Sequence, residues 1–168
     1  MRTILYIFTI LFTTTAIGQT KLDTLVFNEI NNYRVSKGLE KVELNNAFYT
    51  EALNHCNYMD SEKAVSHDGY ETRYHTITNE ITGMVKTTSK TSFIIVKEYS
   101  ESPKHNEALM NTKFKYVTVF TINTVFKTHG VEVPVTYSTI VFFNQPHKND
   151  SLLNRIKKGI KKIRFLLF

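Results

Sequence analysis

The chain has 168 residues, 42% of them hydrophobic, with a net charge of +6 and a single cysteine; it is of one-domain size and excludes an internal disulfide, so a packed core must supply its stability. The charge is unevenly placed: residues 148–168 hold seven Lys or Arg and one Asp, whereas residues 19–147 hold thirteen basic and fourteen acidic side chains. That near-neutral body argues against nucleic acid as a partner, since a nucleic-acid-binding fold carries its basic charge on the folded face.

Residues 1–18 read as a signal peptide. Arg2 precedes an apolar run from Ile4 to Phe12, and Ala16 and Gly18 fit the small positions before a cleavage site that leaves Gln19 first. The run is shorter than the about 20 residues of a membrane span. Export to a periplasmic or extracellular location is the expectation. Cys56 is then a lone thiol in an oxidising setting, and its place in an apolar helical row predicts a buried, inert side chain.

Two amphipathic helices come first. Leu22, Leu25, Val26, Ile30 and Tyr33 recur at helical steps from Lys21 to Lys37, and Gly38 stops the helix. Asn45 or Asn46 is the expected cap of a second helix, with Phe48, Ala52, Cys56 and Met59 on one stripe as far as Asp60. Residues 61–90 show no sustained period and read as a long loop holding at most short strands, a length that usually signals a functional segment. Ser92 to Ser100 reads as a third helix, stopped or kinked by Pro103, with one further turn from His105 to Met110. Tyr116 to Phe126 and Val135 to Phe143 are rich in Val, Thr, Ile and Phe and flank Gly130, the pattern of an antiparallel hairpin. Helices first and a terminal hairpin last give an α+β layered domain over residues 19–147.

The tail at 148–168 reads as a basic amphipathic helix. Leu152, Leu153, Ile156, Ile160, Ile163 and Leu167 fall within about 100° of arc, and Arg155, Lys157, Lys158, Lys161, Lys162 and Arg164 occupy the rest. Such a helix binds an anionic membrane surface, with about 1 kcal/mol from each basic residue near it, or packs its stripe back on the domain; both readings stand.

Four short segments carry a resemblance. Phe27-Asn28-Glu29-Ile30-Asn31-Asn32-Tyr33-Arg34 with Gly38-Leu39, then Ser66-His67-Asp68-Gly69, Asn79-Glu80-Ile81 and Ser102-Pro103-Lys104-His105 follow one another in order. Over about Leu25 to Phe143 the chain resembles the CAP superfamily of cysteine-rich secretory, antigen 5 and pathogenesis-related proteins, and among them the disulfide-poor bacterial members. The resemblance implies a CAP-type α-β-α sandwich with a small antiparallel sheet. It also implies that His67, Glu80 and His105 converge in a cleft where relatives bind a divalent metal. Two imidazoles and a carboxylate suit Zn²⁺ with an open position. Ser102 stands where the family's second acid is found, which leaves Glu101 or Glu98 as the fourth group; Tyr99 stands where a Trp is common.

Function follows from that resemblance as an exported binding module for a small ligand or lipid. The alternative is a metal-dependent hydrolase acting on an envelope or extracellular substrate. No His-Glu-x-x-His helix and no recognised nucleophile setting is present in the sequence, which weighs against catalysis. His55 is expected to face outward or pack on the second helix; His75, His129 and His147 lack partners by spacing, and no role is assigned to any of the four.

Overall fold

The structure, a computed structural model, describes residues 19–74 and 76–144. The expected signal peptide at 1–18 and basic helix at 148–168 lie outside the described residues, as do His75 and His147.

Helix α1 (Lys21–Ser36) opens with a capping box: the Thr20 side chain accepts from the backbone of Asp23, and the Asp23 carboxylate accepts from the backbone of Thr20. Asp23 is fully buried, and its carboxylate also accepts from the hydroxyls of Thr121 (2.7 Å) and Tyr49 (3.4 Å). One side chain thus ties α1 to the second helix and to the sheet. Strand β1 (Glu43–Leu44) follows, then helix α2 (Tyr49–Glu62). Phe48, not Asn45 or Asn46, stands at the start of α2; Asn45 instead closes the preceding turn by accepting from the Ala47 backbone (2.9 Å). A single turn of helix, α3 (Tyr70–Arg73), leads to strand β2 (Thr78–Lys86), then helices α4 (Thr91–Glu101) and α5 (Pro103–Met110). Strands β3 (Tyr116–Thr128) and β4 (Val131–Phe143) form the expected hairpin, joined through His129 and Gly130. Both turn residues have positive φ, which matches the twist of a tight hairpin.

The sheet order is β1-β3-β4-β2, with β1 parallel to β3 and the other pairs antiparallel. The long loop expected at 61–90 therefore holds a nine-residue strand along one edge of β4. Period-two alternation does not betray it, because its buried positions include Glu80 and Thr82 beside Ile81.

The pleat sorts the core into two layers. Ile81, Val117, Val119, Ile140 and Phe142 face α1, α4 and α5, where Val26, Ile30, Ile95 and Leu109 meet them. Phe120, Val135, Tyr137, Val141 and Phe143 face the other way, towards α2 and the segment that follows it. The result is the α-β-α sandwich, with each fully buried apolar side chain contributing about 1.5–3 kcal/mol. Cys56 sits in the second layer with no exposure and its thiol within 3.2 Å of Thr139 Oγ1. Burial pushes its pKa up to about 12, so the thiol is inert as expected.

At Gly83 the first layer approaches the strand so closely that an added Cβ would lie 2.8 Å from the Tyr99 ring. Tyr99 is buried there, its hydroxyl 2.7 Å from Ser138 Oγ.

Replacing Asp23 with Ala should lower unfolding free energy by about 2–4 kcal/mol, because the α1 cap is lost and the buried hydroxyls of Tyr49 on α2 and Thr121 on β3 lose this acceptor. Urea unfolding measures it, and a loss under about 1 kcal/mol would show that the three elements do not depend on this carboxylate.

Candidate functional site

The site is built where α2, the segment 66–74 and β2 meet. Glu80 lies on the β2 face turned to α2, and its side chain is completely inaccessible. A carboxylate in such a place must be neutralised and hydrogen-bonded. Arg73 Nη2 donates to both oxygens, at 2.7 Å to Oε1 and 3.0 Å to Oε2. Tyr74 Oη donates to Oε2 at 2.5 Å, and His67 Nδ1 lies 3.2 Å from Oε1. His55 Nε2 stands 3.9 Å from the same oxygen. Burial alone would raise the Glu80 pKa, but hydrogen bonds from His67 and Tyr74 and the charge of Arg73 outweigh it and hold the group below the ordinary carboxylate range.

The segment is shaped to deliver these donors. Gly69 adopts φ +73° at the start of α3, a conformation that costs L-residues, and an added Cβ would sit 3.2 Å from Arg73 Nη1. That Nη1 donates to the Asp68 carbonyl, so one guanidinium closes the loop on itself while the other nitrogen holds Glu80. Asp68 N donates to Ser66 Oγ (2.9 Å), and Tyr70 Oη donates to the Thr78 carbonyl (2.7 Å), fastening the segment to the start of β2.

His55 and Arg73 are the members that sequence reading missed. His55 is 2% exposed, so of the two expected positions it takes the packed one, stacked on Tyr58 of α2 at 6.0 Å between ring centres, and its Nε2 donates to the Ser66 carbonyl at 2.7 Å. Its position three residues after Ala52 and four before Met59 puts it on the buried stripe, a signal that was available. Its Nδ1 is buried without a partner among the described residues, as is Arg73 Nε. Arg73 has no such signal, since nothing in the spacing to Glu80 distinguishes it from a solvated arginine.

Of the expected set, the structure brings His67 to Glu80 and places His105 elsewhere. His105 is carried by α5, in the opposite layer, with its ring edge-on to Tyr99 at 4.9 Å. Burial lowers its pKa and His67 lowers it further, so the two rings sense each other, but no contact links His105 to Glu80. Glu101 is an exposed partner of Lys97 (2.9 Å) on α4, and Glu98 is exposed on the same helix. Among the described residues, no three His, Cys, Asp or Glu side chains stand where they could hold one metal ion. The donor set as placed does not fit a resident metal: Arg73, Tyr74 and His67 occupy the Glu80 oxygens, and His55 presents N–H, not a lone pair, at its nearer nitrogen.

What the arrangement does offer is an oriented imidazole. With Nδ1–H on Glu80, His67 leaves Nε2 as an acceptor, the tautomer being fixed by that bond. Its side chain is 52% exposed and lines an open groove of about 560 Å³ with Asp68, Gly69, Tyr70, Glu71, Asn79 and Glu80. A second groove, of about 380 Å³, runs between α1 and α4, where Tyr33, Val96 and an exposed Phe93 make an apolar floor rimmed by Glu29, Asn32 and Lys97.

The profile of the cysteine-rich secretory protein family, CAP, matches residues 27–124. The chain belongs to this family. Solved structures agree on the fold. An outer surface protein of Borrelia burgdorferi is similar at 20% identity and a TM-score of 0.56, over 76% of this chain and 96% of that one. A cysteine-rich secretory protein of Staphylococcus aureus is similar at 15% identity and TM-score 0.53, over 74% of this chain and 38% of its own. An extracellular SCP-domain protein of Bacillus anthracis gives 14% identity and TM-score 0.52, over 74% and 40%. No curated protein sequence matches significantly. The CAP chain thus spans almost all of the Borrelia protein and about two fifths of the other two.

The two lowered histidine pKa values carry a sign. His55 and His105 are kept neutral by burial, so as pH falls the unfolded chain takes up protons first. Their contribution is fully present above the ordinary imidazole pKa of about 6.5 and is lost as pH falls through the lower folded values. We expect the urea midpoint to drop between about pH 7 and pH 5, and His55→Asn to flatten part of that slope. A variant with the same slope as the parent would show that His55 titrates normally in the fold.

Proposed function

We propose that the chain is an exported CAP binding module that takes a small ligand in the groove beside His67. The observation that carries this reading is the His67–Glu80 pair: a half-exposed imidazole, fixed by a buried carboxylate, facing a groove with Asp68, Glu71 and Asn79 at its rim. A pre-oriented acceptor on a rigid support loses little entropy on binding a ligand that donates a hydrogen bond. Export is supported by the apolar leader at 1–18 and by likeness to proteins described as outer-surface, secretory or extracellular.

The same pair favours a second reading as a hydrolase, since an imidazole held by a carboxylate is the base-and-orienter half of a catalytic set. Cys56 is too buried and too basic to serve as its nucleophile, and Ser66 Oγ is engaged with the Asp68 backbone. Binding is therefore the better-supported function. The apolar groove between α1 and α4, lined by Tyr33, Phe93 and Val96, supports a lipid as the alternative ligand class.

Amide shifts read during a fragment-library titration should cluster at residues 66–71 and 78–80, and His67→Ala should abolish them. Hits that instead gather around Tyr33 and Phe93 and ignore His67→Ala would replace this reading with the lipid groove. The tail adds a separate expectation, attachment to an anionic surface through Arg155, Lys157, Lys158, Lys161, Lys162 and Arg164. Sedimentation with anionic vesicles should retain the full chain and release a chain ending at Lys148; equal retention of both would remove the tail from the account.

A further inference from the structure

In this chain the charge that balances Glu80 is supplied from within, by Arg73. The guanidinium contacts both carboxylate oxygens through Nη2 at 2.7 and 3.0 Å, while Nη1 is held by the Asp68 carbonyl, so the group is anchored at two points. Its side chain is 15% exposed and lies over the Tyr74 ring, with the guanidinium carbon 5.6 Å from the ring centre. A divalent ion needs a carboxylate oxygen at about 2.0–2.2 Å with a free lone pair, and it would have to settle beside a fixed positive charge. Each Glu80 oxygen already accepts two donors, Arg73 and His67 at one and Arg73 and Tyr74 at the other.

The other two metal donors expected from the resemblance are equally committed. His67 reaches Glu80 with Nδ1–H, which is the orientation an ion on Glu80 would disrupt. His105 stands against Tyr99 in the layer across the sheet. We propose that Arg73 is the resident cation of this cleft: it takes the place a divalent ion would hold on Glu80, keeps His67 oriented without metal, and excludes Zn²⁺. The inference concerns the same cleft as the binding reading but does not need the ligand of that reading to be known. Arg73 acts through Glu80 and His67, as a positioning residue.

The decisive experiment is a calorimetric Zn²⁺ titration of the full chain and of Arg73→Met, Arg73→Lys and Arg73→Met/His67→Ala, with far-UV circular dichroism as the folding check. The parent should give no one-to-one binding that depends on Glu80. Arg73→Met keeps the aliphatic stem and removes the charge, and should bind one equivalent at least about tenfold more tightly than the parent. Removal of His67 should abolish that gain, and Arg73→Lys, which retains the charge, should behave as the parent. One-to-one Zn²⁺ binding by the parent that is lost in Glu80→Gln would overturn the proposal, as would a folded Arg73→Met chain that gains nothing. The parent arm holds even where Arg73→Met fails to fold, because the ring signals of His67 and His105 in a ¹H–¹³C spectrum should not move with one equivalent of Zn²⁺; their joint movement overturns it. Failure of fragments to gather at His67 sinks the binding reading alone, and Zn²⁺ capture by the parent sinks this one alone.

Discussion

A carboxylate with no access to water, placed on a sheet face whose other buried side chains are uncharged, sets the terms for everything around it. Glu80 faces the layer of Phe143, Val141 and Phe48, and left alone its charge would be costly enough to empty that layer. The cost is offset by drawing in a guanidinium, a phenol and an imidazole from one short stretch of chain. This stretch, 66–74, is therefore not a free loop. Its turn at Gly69, its single helical turn and its fastening to Thr78 are the geometry by which three donors reach two oxygens.

The two faces of β2 do different work, and the pleat explains the division. Glu80 and Thr82 meet the α2 side, where Thr82 and His55 both donate to the Ser66 carbonyl. Ile81 and Gly83 meet the α4 side, the side on which α5 carries His105. A single step along the strand moves a side chain from one layer to the other. Two histidines bracketing an acid in sequence order thus sit on elements of different layers, His67 against Glu80 and His105 against Tyr99.

Most of the architecture was legible because its signals are local and repeated. The apolar steps of Val26, Ile30 and Tyr33, the stripe of Ala52, Cys56 and Met59, and the Val-Thr-Ile runs around Gly130 each mark an element from its own residues. β2 was hidden for the opposite reason: its conformation is set by pairing with β4, while its composition, with Asn79, Glu80 and Gly83, answers to the site and to Tyr99. The ordered segments of the family pointed to His67 and Glu80 correctly as neighbours. They could not reveal Arg73, whose role depends on the path of the chain through Gly69, nor could they show that His105 is turned to Tyr99.

The contact between Gly83 and Tyr99 fixes how near a helix can lie to the sheet. Where the hydroxyl end of an aromatic ring fills the space a side chain would need, the ring and the missing Cβ are sterically coupled: neither can change unless the other gives way. A larger residue at 83 demands a smaller one at 99, or a helix lifted off the sheet and a hydroxyl parted from Ser138. The pair thus gauges the spacing between α4 and the sheet in this chain.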